Sequence, residues 1–285
     1  MKTSKNKIIR RICTLITAII MTAAVLVSPA GAALNKTPIN VYIESIQFAA
    51  DTTVIFNSTS YVPLKSFCLA MDNKAKVDWD HKSKTVYVTT DKLSMSVRVG
   101  ESYLIANGRY LYLDNPCYID KGTTMVPIRV IAKAFDAQVS WNGQLKEVVV
   151  TKGSGAIKSG DSFYDKNNLY WLSRIITAEA RGEGLKGQIA VGNVVLNRMY
   201  GDNWPDTVYG VVFDTRCGIQ FTPTANCTIY NEPTESAVIA AKLALDGAQV
   251  VGGSLFFLNK AKATSRWIID NCDYVATIGA HSFYM

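Results

Sequence analysis

A glutamate, Glu179, stands where an apolar helical run meets a glycine-broken loop, a position suited to acid–base chemistry. The preceding run places apolar residues at three- and four-residue intervals, and Glu179 continues that stripe. The loop that follows, Arg181-Gly182-Glu183-Gly184, leaves the carboxyl reachable. A general acid at neutral pH needs partial burial, which raises a carboxyl pKa, together with access to substrate. The pattern therefore predicts Glu179 as a candidate general acid.

A structural role for Glu179 competes with this prediction. A glutamate in a helix commonly forms an ion pair, and Arg174 or Arg181 would be its partner. On the pattern alone this alternative is the commoner one. Glu183, four residues on, would share a helix face with Glu179 and suggest a two-carboxylate glycosidase. The intervening glycines instead predict that the helix ends between them, with Glu183 at the start of the next helix.

Histidine-based chemistries find little support in the C-terminal half of the chain. His281 is the only histidine after residue 152. A zinc protease site, a His-plus-Cys metal centre or a Ser-His-Asp triad needs more histidines or a better-placed base. A cysteine nucleophile would have to pair Cys217, Cys227 or Cys272 with His281. We therefore expect no metal and no cofactor, and carboxylates remain as the candidate catalysts.

Two helices must position Glu179. The first covers the apolar stripe that runs from Leu169 to Glu179, and the glycines after it favour a stop. The second runs from about Leu185 to Met199. Its candidate buried positions are Ile189, Val191, Val195, Leu196 and Met199.

Residues 1–33 resemble a secretory signal peptide, with a basic start, an uncharged apolar run and small residues suited to cleavage. A retained membrane anchor is the competing interpretation, although the apolar run is shorter than the ~20 residues that span a bilayer. Removal of this segment leaves 25 basic against 23 acidic residues, so the basic isoelectric point is mainly a property of the signal. We expect a secreted protein with no nucleic-acid partner and no membrane contact after processing.

The length of the mature chain suggests two domains, residues 34–152 and 168–285, joined by a polar linker over residues 153–167. Five cysteines remain after signal removal, so at least one thiol is unpaired within a monomer. Cys217 and Cys227 bracket a short loop and are a disulfide candidate. For Cys68 and Cys117, a bridge and two buried free thiols are about equally plausible.

The N-terminal half contains a repeated pattern of a Val-Pro strand, a short helix and a two-stranded hairpin. The first copy contains Pro63 and Trp79, and the second contains Pro127 and Trp141. The prolines lie 64 residues apart and the tryptophans 62 apart, so the copies differ only by small loop changes. The repeat predicts a duplicated α+β module.

This module resembles the small domain at the N-terminus of copper amine oxidases. The resemblance rests on the Val-Pro strands and the Val-x-Trp hairpins, and it implies attachment to a wall polymer or to a protein partner. It does not imply copper, because His81 is the only histidine of the segment. Tyr103, Tyr110 and Tyr112 are candidate exposed contacts, with cross-strand packing as the alternative role.

The C-terminal half resembles the cell wall hydrolase family typified by the spore cortex-lytic enzyme SleB. Several motifs occur in the family's order over about 115 residues. These are Ala178-Glu179-Ala180-Arg181-Gly182-Glu183, Gly187-Gln188-Ile189-Ala190-Val191-Gly192, Val195-Leu196-Asn197-Arg198, Gln220-Phe221-Thr222-Pro223, Gly252-Gly253-Ser254-Leu255-Phe256-Phe257-Leu258-Asn259, Lys262-Ala263-Thr264-Ser265-Arg266-Trp267-Ile268 and Ile278-Gly279-Ala280-His281-Ser282-Phe283.

The resemblance implies a mainly helical, lysozyme-like catalytic domain, so the whole chain is expected to be α+β in two domains. It implies lytic transglycosylase chemistry on peptidoglycan glycan strands, with Glu179 protonating the bond between N-acetylmuramic acid and N-acetylglucosamine. The muramyl 6-hydroxyl would then close on its own anomeric carbon. The candidate substrate-binding residues in the matching motifs are Glu183, Gln220, Phe221, Tyr230, Phe257 and Asn259.

Two alternatives remain open at this point. One is a muramidase that uses water, with Glu183 or an aspartate as the second carboxylate. The other is a non-catalytic wall-binding or spore-coat protein. The expected location is the cell wall or spore envelope of a Gram-positive bacterium.

Overall fold

The computed structural model of the chain describes residues 36–48, 53–216 and 218–285. The predicted signal peptide, residues 1–33, lies outside the described residues, as does Cys217. Among the residues that are described, no helix is long and apolar enough to cross a membrane.

The N-terminal region consists mainly of short strands. They are β1 (Thr37–Pro38), β2 (Asn40–Ile43), β3 (Ile46–Gln47), β4 (Val54–Phe56), β5 (Thr59–Pro63), β6 (Lys76–Asp80), β7 (Thr85–Thr89), β8 (Ser94–Arg98), β9 (Tyr103–Ala106), β10 (Arg109–Tyr112), β11 (Tyr118–Asp120), β12 (Thr123–Pro127), β13 (Gln138–Asn142) and β14 (Glu147–Thr151). Two helices accompany them, α1 (Leu64–Met71) and α2 (Ile128–Ala134).

The order strand, helix and hairpin occurs twice in this region. In the first unit β5 leads into α1 and the β6–β7 hairpin, and in the second β12 leads into α2 and the β13–β14 hairpin. The strands β5 and β12 pair antiparallel, with Val62 opposite Val126. Pro63 and Pro127 end these strands and precede the helices, where a missing backbone N–H is tolerated.

Three sheets enclose the N-terminal core. Their strand orders are β1-β4-β5-β12-β11, β10-β9-β8-β7-β6 and β13-β14-β2-β3. Apolar side chains from all three sheets and both helices form one buried cluster that includes Val62, Phe67, Val97 and Ile131. Alternation along the strands explains this burial, since β8 and β14 each point every second side chain inward.

The C-terminal region is mainly helical. Its helices are α3 (Gly160–Phe163), α4 (Lys166–Ala180), α5 (Leu185–Met199), α6 (Val208–Val212), α7 (Thr222–Ala225), α8 (Glu235–Leu245) and α9 (Trp267–Asn271), with a 3₁₀ turn at Thr228–Tyr230. A small sheet of order β15-β17-β16 contains β15 (Phe256–Leu258), β16 (Tyr274–Ile278) and β17 (His281–Tyr284).

Helices α4, α5 and α8 pack together around the second core. All five apolar positions predicted as buried in α5 are buried, and so are most of the other residues of that helix. Gly192 lies in α5 and faces both α4 and α8. A Cβ atom there would stand 3.0 Å from Ile176 Cδ1 and 3.3 Å from Ala244 Cβ, so a side chain at this position would crowd both neighbours.

The segment predicted as a linker, residues 153–167, is packed against the N-terminal region. Ile157 is buried in the N-terminal core, and the Gly160 N–H donates to the Asn107 carbonyl at 2.8 Å. The Tyr164 hydroxyl accepts from the Tyr110 N–H at 3.0 Å. The polar composition of the segment therefore reflects side chains on its outer surface. Its backbone makes hydrogen bonds to the N-terminal region.

Candidate active site

The end of α4 is held by a buried glutamine from α5. Gln188 donates from Nε2 to the carbonyl oxygens of Ala180 and Glu183, each at 3.3 Å, and to the Ser236 hydroxyl at 3.2 Å. The last carbonyls of a helix have no partner within the helix, so this side chain supplies one. The helix ends at Ala180, as the glycines predict, so Glu179 lies in its last turn and the loop to α5 starts at Arg181.

Glu179 is half-buried at this helix end, and burial raises the pKa of its carboxyl above the ordinary value. Within the described part of the chain, no ion pair or side-chain hydrogen bond involves its carboxylate. The predicted structural partner Arg174 instead pairs with Glu232 at 2.8 Å and lies over the Tyr170 ring. An unpaired, partly buried carboxyl tends to stay protonated, which is the state a general acid needs.

Glu179 lies where two cavities meet. The larger, which we call the main cleft, has a volume of about 980 Å³ and also contains Arg198, Asp214 and Phe257. The smaller has a volume of about 430 Å³ and is bounded by α7 and the end of α4. Glu179 therefore lines both cavities while it stays half-buried.

Aromatic and cationic side chains dominate the main cleft. Trp204, Phe256 and Trp267 line it, and the Trp267 ring is 58% exposed. The Arg198 guanidinium lies 4.4 Å from the centre of the Trp204 ring and donates from Nε to the Leu255 carbonyl at 2.7 Å. Burial lowers the pKa of Arg198 to about 10, so this side chain stays charged at neutral pH. Flat rings beside fixed donors suit a sugar ring, which has apolar faces and polar edges.

Asp214 is a second carboxylate in the main cleft. Arg216 donates to it from Nε at 3.0 Å and from a terminal nitrogen at 2.9 Å, and the Arg216 backbone N–H also donates to it. These bonds lower the pKa of Asp214 to about 2. The carboxylate is thus ionised and already engaged, which makes it a weak base.

Three of the six predicted substrate-binding residues line the main cleft. These are Gln220, Phe221 and Phe257. Glu183, Tyr230 and Asn259 lie elsewhere. Tyr230 is exposed beside Trp171, and the Asn259 side chain accepts from the Ala261 N–H within its own turn.

Glu183 is held by the turn between β16 and β17. Its carboxylate accepts from the Ala280 N–H at 3.3 Å and lies 3.7 Å from His281 Nδ1. Gly279 in the same turn has a φ of +58°, and a Cβ atom there would stand 1.7 Å from Glu183 Oε2. Glu183 therefore ties the loop after Glu179 to the sheet. Burial lowers the pKa of His281, and the Glu183 charge opposes that shift.

The amino-acid pattern did not predict that several of these residues line the main cleft. Trp204 and Asp214 lie in loops without periodicity, on either side of α6. Phe256 precedes Phe257 in a quoted motif, yet nothing in the sequence shows that both neighbours face the cleft. Arg198 stands in the quoted Val195-Leu196-Asn197-Arg198 motif, and the structure places its Nε against the Leu255 carbonyl.

The cysteines separate into buried and accessible thiols. Among the described cysteines Cys68, Cys117, Cys227 and Cys272, none is bridged to another. Cys68 and Cys117 are buried, in accord with the free-thiol alternative for that pair, and burial raises the pKa of each thiol to about 12. Because Cys217 lies outside the described residues, its pairing with Cys227 stays a prediction. Across the described ranges no group of three or more His, Cys, Asp or Glu side chains is placed to hold a metal ion.

Family comparisons match the two regions separately. The Copper amine oxidase N-terminal domain family matches residues 41–150, and the Cell Wall Hydrolase family matches residues 182–284. The chain carries a cell wall hydrolase domain. This hydrolase match starts three residues after Glu179 and includes every predicted substrate-binding residue.

Curated relatives of the chain share its C-terminal region. Spore cortex-lytic enzymes from Bacillus cereus, Oceanobacillus iheyensis and Bacillus subtilis are 37%, 38% and 34% identical to it over 120 residues, or 42% of this chain. The matches span 45%, 42% and 38% of those relatives, less than half of their lengths.

Solved structures of two catalytic domains also match. The catalytic domain of the germination-specific lytic transglycosylase SleB from Bacillus anthracis is 35% identical and covers 45% of this chain and 100% of its own, with a TM-score of 0.40. The catalytic domain of the Bacillus cereus SleB protein is 35% identical and covers 47% of this chain and 100% of its own, with a TM-score of 0.39.

Proposed function

We propose that the chain is a secreted peptidoglycan lytic transglycosylase that uses Glu179 as its acid and base. The observation that carries this proposal is an unpaired carboxyl with a raised pKa at the junction of two cavities. The relatives that share the C-terminal region are spore cortex-lytic enzymes, which favours peptidoglycan of the cortex or wall as the substrate.

The chemistry needs a single protein group. Glu179 gives its proton to the oxygen that joins N-acetylmuramic acid to N-acetylglucosamine, and the bond from that oxygen to the muramyl anomeric carbon breaks. The muramyl 6-hydroxyl oxygen then bonds to the same carbon, and its proton returns to the Glu179 carboxylate. The product is a 1,6-anhydro end, and no water is consumed.

The other cleft side chains bind and orient the strand. Trp204 and Trp267 offer ring faces for stacking, while Arg198 and Gln220 offer donors for hydroxyl or acetamido oxygens. Arg198 Nη1 lies 3.4 Å from Gln220 Oε1, so the two side chains hold one another in place.

Asp214 is the candidate second carboxylate for the alternative function, a muramidase that uses water. A muramidase needs a second carboxylate that acts as nucleophile or activates water. The low pKa of Asp214 and its two bonds from Arg216 make it a poor base, which favours the transglycosylase.

Mass spectrometry of digested peptidoglycan tests the proposal. The wild-type chain should release fragments with 1,6-anhydromuramic ends, Glu179→Gln should release none, and Asp214→Asn should still give anhydro ends. Reducing ends that disappear with Asp214→Asn would establish the muramidase instead. Unchanged product from Glu179→Gln would refute the role of Glu179.

A further inference from the structure

The N-terminal region contains an open groove that the proposed reaction does not use, and we call it the module groove. It has a volume of about 460 Å³ and is bounded by β5, the start of α2 and the strand β13. Its floor is apolar, with Ile55 and Val148, and its rim carries hydroxyl and amide groups from Thr59, Ser140 and Asn115.

The tryptophan of this groove is packed differently from the matching tryptophan in the first copy of the repeat. Trp141, on β13, lines the groove and is 43% exposed. Trp79, at the same place in the first copy, packs against the N-terminal core and stands edge-on to His81. The same hairpin position is thus used for packing in one copy and left open in the other. An open indole face above hydroxyl and amide groups matches a pyranose ring, which presents C–H groups on its face and polar groups at its edge.

The charges of the groove point to a neutral ligand. Asp114 and Arg129 are its two charged lining residues, and their charges cancel. An acidic polymer or a nucleic acid would need an excess of positive charge. A peptide strand added to the edge of β13 is disfavoured, because the Val139 carbonyl on that strand already accepts from Arg129.

A second cavity shares part of its lining with the module groove. Asp114, Arg129 and Val130 line this cavity, of about 350 Å³, together with Ala248 and Gln249 of the C-terminal region. The N-terminal and C-terminal regions therefore both contribute to the surface beside the module groove.

A buried ion-pair cluster joins the two regions. Asp246 follows α8, and its buried side chain accepts two hydrogen bonds from Arg109 of β10, each at 2.8 Å. Lys133 of α2 donates to the same carboxylate at 2.7 Å. These contacts hold the region with the module groove against the region with the main cleft.

We propose that the module groove is a second binding site for neutral N-acetylated polysaccharide, and that it holds the same glycan strand the main cleft cuts. This inference rests on the proposed function for its ligand. Its benefit would be retention, because two linked sites bind one strand far more tightly than either alone.

Binding to uncharged oligomers of N-acetylglucosamine tests the inference, with the full-length mature chain carrying Glu179→Gln. Adding Trp141→Ala should weaken binding by roughly tenfold, the loss typical of a stacked ring in a binding site. Tyr87→Ala is the matched control, since Tyr87 is a 47% exposed aromatic of the same region that lines neither groove. It should leave binding unchanged within about twofold.

A second measurement separates this inference from the proposed function. In the chain with Glu179 intact, Trp141→Ala should slow release from long strands and leave the rate on short fragments unchanged. Equal binding by the parent and Trp141→Ala chains would refute the module groove as a binding site. An equal weakening of binding by Tyr87→Ala would refute it as well. Trp141-dependent binding of isolated stem peptide would overturn the choice of glycan. Suppose that the chain with Glu179 intact does not cut peptidoglycan, but Trp141→Ala still weakens binding to the glycan. The proposed function is then refuted, and the module groove is retained as a glycan-binding site.

Discussion

Replacing Asp246 by alanine should be among the most destabilising single changes in the chain. The Asp246 side chain is 1% exposed and the Arg109 side chain 9% exposed, so their pair is removed from water. The Arg109 guanidinium also lies 3.4 Å from the centre of the Phe163 ring. Without the carboxylate, a buried cation remains with no counter-charge. Such a loss costs about 3–5 kcal/mol, a large part of the 5–15 kcal/mol that stabilises a typical domain.

Urea denaturation followed by fluorescence and by far-UV circular dichroism measures this change. With an m-value of about 3 kcal/mol/M, a loss of about 4 kcal/mol lowers the midpoint by roughly 1.3 M. Because Asp246 joins the two regions, the variant should also show separate transitions for the N-terminal and C-terminal regions where the wild type shows one.

Two control variants separate the buried pair from the surface contact. Lys133 is 45% exposed, so Lys133→Ala should cost no more than about 1 kcal/mol. The double variant Arg109→Met, Asp246→Leu removes both buried charges and should recover most of the lost stability. A loss below about 1 kcal/mol for Asp246→Ala would refute this account of the interface, as would a double variant no more stable than the single one.

Two further predictions concern Glu179 and the turn that contacts Glu183. Burial raises the pKa of Glu179 above 4.5, so its ionised form lowers stability above the raised pKa, and this penalty fades as the pH falls to 4.5. Glu179→Gln should therefore raise the Tm at pH 7.5 but not at pH 4, as measured by calorimetry, and a larger gain at pH 4 would contradict the direction. Gly279→Ala should cost roughly 2–4 kcal/mol, since it combines a positive φ with a clash against Glu183. Gly253→Ala, whose Cβ would meet only Met285 Sδ at 3.7 Å, should cost less than about 1 kcal/mol in the same denaturation assay.

Local pattern was enough to predict the helices that hold Glu179. The apolar spacing and flanking glycines predict the second helix from Leu185 to Met199, and α5 has those bounds. The same reasoning places the helix break before Glu183. These predictions succeed because helix periodicity and glycine stops act within a few residues of one another.

Contacts between distant residues escaped prediction. Arg109 and Asp246 are separated by 137 positions, and neither stands in a motif. Tyr103 and Tyr110, predicted as exposed contacts with packing as the alternative, pack against the C-terminal core, and Tyr112 also lines the cavity between the regions. A strand pattern shows that a side chain faces away from its own sheet, but it does not show that another region covers that face.

The hydrogen bond from Ala280 to Glu183 can form only late in the synthesis of the chain. The Ala280 N–H that holds the Glu183 carboxylate lies 97 positions further along the chain. The strand that follows Ala280, β17, is the central strand of the small sheet, so β15 and β16 cannot complete that sheet without it. At a synthesis rate of about 5–20 residues per second, roughly 5–20 s pass between the emergence of Glu179 and that of its support. Throughout that interval the loop that follows Glu179 lacks this contact in the nascent chain.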